Sequence, residues 1–121
     1  MENFDIFCPL PPAGINPNQA RKHHWRKLAE LIRNYRFEGW AACRAKNLPQ
    51  LMAEKATITM SFNFHDKRRR DVANFAASTK PLIDGLVDYK LLKDDDQITW
   101  MPPTMTVDRT RDAGVYLRVS V

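Results

Sequence analysis

Ala56-Thr57-Ile58-Thr59-Met60-Ser61-Phe62-Asn63-Phe64 alternates apolar and polar side chains without a break. Successive residues of an extended chain face opposite ways, so Ile58, Met60, Phe62 and Phe64 share one face and Thr57, Thr59, Ser61 and Asn63 the other. β-Branched and aromatic residues suit a pleated, half-buried surface, and the stretch is predicted to be a strand. It runs into Lys67-Arg68-Arg69-Arg70-Asp71-Val72-Ala73-Asn74. A rigid strand therefore delivers a basic cluster and a carboxylate at its C-terminal end, in a loop where a scaffold can hold functional groups.

Working outward, a helix is predicted to start near Ser78 as N-cap, with Pro81 in its first turn, where the missing N–H costs little. Leu82, Ile83, Leu86 and Val87 form its buried stripe. Lys80 and Asp84, four apart, share another face, either turned toward a cleft or forming a surface pair worth a few tenths of a kcal/mol. Upstream, a long helix is expected from Gln19 to Lys46, with Trp25, Leu28, Ala29, Ile32 and Tyr35 or Arg36 at helical spacing. Its other face carries Arg21, Lys22, Arg26, Lys27, Arg33 and Arg44. Gly39 is a candidate interruption, and Asn47-Leu48-Pro49 ends the helix.

Near the N-terminus, Phe4 to Leu10 reads as a short edge strand stopped by Pro9, Pro11 and Pro12, with a rigid loop through Asn18. Tyr89 to Asp96 reads as a loop. Gln97 to Met101 begins a strand halted by Pro102-Pro103. Met105 to Val107 and Val115 to Val121 are expected to form a hairpin across the charged turn Asp108 to Gly114. The fold class is α+β: one small domain over residues 1–121, a mixed sheet of about four strands with two main helices packed on it.

At 121 residues the chain can bury a core of its own, and a dimer partner would add to it. Its 44% hydrophobic and 27% charged content is that of a globular chain and excludes a mostly disordered one. It contains no run of about 18 apolar residues, so no membrane span is expected. Glu2 and Asp5 stand where a signal peptide would carry positive charge, which points to the cytoplasm. Cys8 and Cys43 lack CxxC spacing and a nearby histidine pattern, and are read as free core or surface residues. His23 and His24 point different ways on a helix and are read as surface residues or phosphate contacts.

The net charge of +5 is unevenly spread. Residues 71–96 hold six Asp against Lys80, Lys90 and Lys93, a local −3, whereas the rest holds sixteen basic against eight acidic residues, or +8. A basic body around an acidic segment suits a nucleic-acid surface enclosing a metal site, because Lys and Arg release counterions from phosphates. Magnesium takes oxygen ligands and needs only one or two protein carboxylates beside substrate phosphates. Asp71 beside the arginines, with Asp94, Asp95 and Asp96 further on, supplies that chemistry. The plainer reading is a solvated basic turn and an acidic loop. Stacking of RNA on Trp25, Trp40, Phe62 and Phe64 is disfavoured, since those residues sit at core spacing.

Taken together, the order of a strand, a Pro-Pro loop, a long helix, a strand, the Arg-rich RRRD-x-x-N segment, a K-x-x-x-D helix and a D-D-x-Q-[IV] turn resembles the RusA family of Holliday junction resolvases. These are small endonucleases carried largely by phages and prophages. The resemblance covers nearly the whole chain, from Pro9-Leu10-Pro11-Pro12 to the closing strand. It implies a RusA-like fold, a homodimer in the bacterial host cytoplasm, and Mg2+- or Mn2+-dependent paired nicking of four-way DNA junctions, without an organic cofactor. Carried over by motif, Asp71, Asn74, Lys80 and Asp95 are the catalytic candidates. Asp71, Asp95, Asp94 and Asp84 are the metal candidates, and Lys67, Arg68, Arg69 and Arg70 the DNA contacts. The chain departs from the family pattern at Ala73, which replaces the motif's second Asp, and in a longer segment between Asn74 and Lys80. Asp84 and Asp96 are the carboxylates available to replace the missing oxygen. The alternative is a branched-DNA-binding protein that Ala73 has deprived of cleavage.

Overall fold

The computed structural model describes residues 2–16 and 24–121. In chain order these form β1 (Asn3–Cys8), a 3-10 turn (Ala13–Ile15), α1 (Trp25–Ala45), β2 (Ala56–Phe64), α2 (Val72–Ser78), α3 (Lys80–Tyr89), β3 (Ile98–Trp100), β4 (Thr104–Val107) and β5 (Gly114–Ser120). The fold is α+β, a mixed five-stranded sheet with two main helices. Among the described residues no helix is long and apolar enough to cross a membrane. The expected start of the long helix at Gln19, and the roles considered for Arg21, Lys22 and His23, lie outside the described residues.

The alternating stretch is the central strand. β2 pairs antiparallel with β5, and β5 pairs antiparallel with β1. The other edge of β2 is taken by β3 along Ala56 to Ile58 and by β4 along Ser61 to Phe64, both parallel. Pro102 and Pro103 fall between these two short strands; with no N–H to donate, they split one edge strand in two. The expected hairpin is therefore absent: β4 and β5 flank β2 on opposite edges. Alternation assigns a residue to a face of the sheet but cannot choose the neighbouring strand, and here the turn before β5 crosses the end of β2. Asn63, fully buried on β2, anchors that turn by donating to the carbonyls of Asp108, Arg111 and Asp112 and accepting from Thr106 Oγ1 and the Asp108 N–H.

One face of the sheet carries the core. Ile58, Met60, Phe62 and Phe64 pack with Ile6, Cys8, Val115, Leu117 and Val119 beneath α1 and α3. Cys8 and Cys43 are both free and buried there, and burial pushes each thiol pKa up to about 12. The contact face of α1 is Tyr35, Gly39 and Cys43, flanked by half-buried Leu28, Leu31 and Trp40. Trp25, Ala29 and Ile32, expected in the buried stripe, are exposed. Gly39 explains the rotation. It does not interrupt the helix but lets the α3 backbone approach, a Cβ there falling 2.3 Å from the Leu82 carbonyl oxygen. The closest approach of the two helices thus selects the face that is buried.

The segment after the basic cluster is also helical earlier than expected. Asp71 caps α2 by accepting from the Ala73 and Asn74 N–H groups, and the alanine-rich Val72–Ser78 propagates from that cap. Ser78, the anticipated N-cap, is the last residue of α2 and donates its hydroxyl to the Asn74 carbonyl. Thr79 is the joint to α3, and Pro81 sits in the first turn of α3 as anticipated.

Candidate functional site

The acidic and basic candidates meet at the start of α3. Lys80 Nζ donates to Asp84 Oδ1 and Asp95 Oδ2, each at 2.5 Å. The first contact is one turn of helix. The second depends on how the chain returns after α3: Lys90 closes the helix in the left-handed conformation with its N–H on the Leu86 and Val87 carbonyls. Leu91 and Leu92 are then driven into the core, while the Ala53 N–H donates to the Leu91 carbonyl and the Lys93 N–H donates to the Ala53 carbonyl. This return presents Asp95 to Lys80.

The electrostatics follow from that geometry. Partial burial disfavours the Lys80 ammonium, but the hydrogen bonds it donates to Asp84 and Asp95 outweigh that, leaving its pKa above the ordinary 10.5. Asp95 is held below the ordinary 3.8, first by the Lys80 hydrogen bond and then by its charge. An ammonium has three donors, and two are engaged here. Among the described residues the third N–H of Lys80 has no acceptor and remains for an outside one.

The other candidates are placed around this cluster rather than in it. Asp94 uses Oδ1 to accept the Asp95 N–H at 2.7 Å, stiffening the turn. Asp71 uses Oδ1 on the helix cap and leaves Oδ2 without a hydrogen bond among the described residues. Asn74 lies on the same first turn of α2, and no hydrogen bond or ion pair joins either residue to Lys80. Asp96 is exposed.

The basic cluster divides as well. Arg70 is folded back, its guanidinium 2.6 Å from Asp66 Oδ1, bonded to the Asp66 and Arg68 carbonyls, and 3.8 Å from the Phe64 ring centroid. Its side chain is 13% exposed, so it closes the turn rather than reaching outward. Asp66, its partner, carried no signal in the sequence beyond an i,i+4 spacing. Lys67, Arg68 and Arg69 are exposed and make no side-chain hydrogen bond among the described residues.

Among the described residues no three His, Cys, Asp or Glu gather as a metal-holding group. A two-carboxylate site is nonetheless consistent with the Asp84 and Asp95 oxygens, which already converge on one cation, Lys80. Magnesium commonly takes one or two protein carboxylates and completes its shell with water and phosphate, so these donors fit it.

Sequence reasoning also passed over what lies beside Lys80. Trp100 and Met101 stand 49% and 45% exposed at the break between β3 and β4, next to the first turn of α3. A tryptophan open to water on an edge strand is the signal that could have drawn attention to them. No protein-family model matches the chain, and no curated protein is significantly similar to it.

Proposed function

We propose that this chain is a divalent-metal-dependent endodeoxyribonuclease of the RusA type that binds four-way DNA junctions as a homodimer and resolves them by paired nicks in the bacterial cytoplasm. The observation that carries the proposal is the convergence of Asp84 and Asp95 on Lys80, in a chain whose Lys67, Arg68 and Arg69 are exposed. Cations alone would hold DNA without cutting it, and carboxylates alone would repel it.

Each residue then has a role. Lys67, Arg68 and Arg69 attract phosphates, and Asp84 and Asp95 would hold Mg2+ or Mn2+, with water and substrate phosphate oxygens completing the shell. When bound, the ion would lower the pKa of a water and offset charge on the scissile phosphate. The remaining N–H of Lys80 donates to a phosphate oxygen and stabilises charge on the leaving oxygen. Asn74, on the first turn of α2, is proposed as a further phosphate contact. Two opposed nicks require two sites related by a two-fold axis, hence the dimer.

The second reading is a branched-DNA-binding protein that does not cut. It is favoured by one observation: Lys80 already engages one oxygen of each of Asp84 and Asp95, and Ala73 provides no further carboxylate. The experiment incubates the purified chain with a synthetic four-way junction and a matched linear duplex, in magnesium, in manganese and in chelator. Metal-dependent paired nicks confined to the junction are expected, together with loss of nicking but retained binding in Asp95→Asn. Tight binding without nicks in either metal would establish the second reading, and undiminished nicking by Asp95→Asn would refute the assignment of Asp95.

A further inference from the structure

Between the α2–α3 joint and the β3–β4 break lies an open groove of about 330 Å³. It is lined by Trp100 and Met101 of the β3–β4 break, by Ala76 and Ala77 of α2, and by buried Met60 and Lys80. We infer that this groove is a nucleobase subsite, in which a base neighbouring the phosphate at Lys80 leaves the DNA stack and lies against the Trp100 ring. The inference rests on the DNA-binding reading above.

Three features favour a base over another apolar group. Apart from Lys80, the groove is lined by one large aromatic, two thioethers and the small side chains of Ala76, Ala77, Thr79 and Pro103, and stacking on an aromatic serves any base because each has a π-face. Among the described residues the one ionised residue lining it is Lys80, which has a third N–H to donate, so a phosphate oxygen attached to the occupant finds a hydrogen-bond donor there. The groove is also continuous with the Lys80–Asp84–Asp95 cluster, which places the apolar surface and the phosphate-binding cation within one residue of each other. A nucleotide combines a planar ring with an adjacent phosphate. Near a junction centre, where stacking is already broken, extrusion of a base costs least.

The test uses the full chain, Trp100→Ala and Trp100→Phe in chelator, so that nothing is cut. Binding is measured by fluorescence anisotropy to a single-stranded oligodeoxythymidine and to an abasic strand of the same length. Trp100→Ala is expected to weaken binding to oligodeoxythymidine by roughly 5- to 100-fold, the effect of losing one aromatic stack, and to leave the abasic strand unchanged. Trp100→Phe should retain most of the affinity, which also shows that the loss is not one of folding. Equal loss on both strands, or no loss on either, overturns the subsite. So does a change of oligomeric state in Trp100→Ala, which would make the groove the seat of a second copy. Junction nicking by the unmodified chain is scored separately. Nicking without a Trp100 effect retains the nuclease and rejects the subsite, whereas a Trp100-dependent preference for bases without nicking does the reverse.

Discussion

Gly85→Ala tests the helix crossing on which the site is built. Gly85 lies where α3 meets α1, and a Cβ there would stand 2.3 Å from the Arg36 carbonyl oxygen, 2.7 Å from the Trp40 nitrogen and 2.9 Å from Gly39 Cα. Ordinary contact begins at 3.4 Å, so the helices must part by about 1 Å. The obstructing atoms are all backbone, and no side-chain rotation relieves them. Overpacking of this kind costs about 3 kcal/mol at the upper end of its range. Alanine recovers about 1 kcal/mol of helix propensity over glycine. The net loss is about 2 kcal/mol, which for a chain of this size lowers Tm by about 8 °C. Thermal denaturation followed by circular dichroism reads it, with urea unfolding as an independent measure. An unchanged or raised Tm would refute the close crossing. Lys80 and Asp84 ride on α3, so junction nicking should also fall, by up to about 100-fold, at temperatures where the variant is still folded.

The remaining expectations are smaller in scope. Asn63→Ala should cost about 3 kcal/mol in urea unfolding, because it leaves the carbonyls and N–H of the turn before β5 without their buried partner; a loss below about 1 kcal/mol would refute that anchoring role. Arg70→Ala should lower stability by about 1 kcal/mol through its Asp66 and Phe64 contacts, whereas Arg69→Ala should leave Tm unchanged and flatten the salt dependence of DNA binding by about 0.9 in slope. Equal DNA-binding effects of the two variants would contradict the division of the basic cluster. Asp88 accepts both Arg36 Nε and Nη2, and that hydrogen bonding holds its pKa below the ordinary 3.8. Its contribution is therefore complete above pH 3.8 and lost as pH falls through its lowered folded value. Asp88→Asn should cost about 0.5 kcal/mol at neutral pH, with the difference shrinking as pH falls below 3.8; a difference that grows on acidification would refute the linkage.

Local signals in the chain were sufficient for β2, the stripe of α3 and the proximity of Lys80 to Asp84, because alternation and an i,i+4 spacing are settled within a few residues. Trp25 and Ile32 show where such signals stop. They match helical spacing as well as Tyr35 does, but which stripe is buried was settled by the partner helix and its glycine contact. Arg70 is similar: its neighbours Arg68 and Arg69 are of the same residue type, yet only Arg70 falls within reach of Asp66 and the Phe64 ring.

The sequence by itself determined an α+β chain around one alternating strand, the apolar stripe of α3, and a basic body enclosing an acidic segment. These follow from the chemistry of each residue and its near neighbours. Only the tertiary structure decided that β4 and β5 lie on opposite edges of β2, that Asp95 turns back onto Lys80, and that Trp100 stands open beside them. Those relations join residues far apart in the chain, and they are set by which surfaces the core could bury and where the backbone was free to turn.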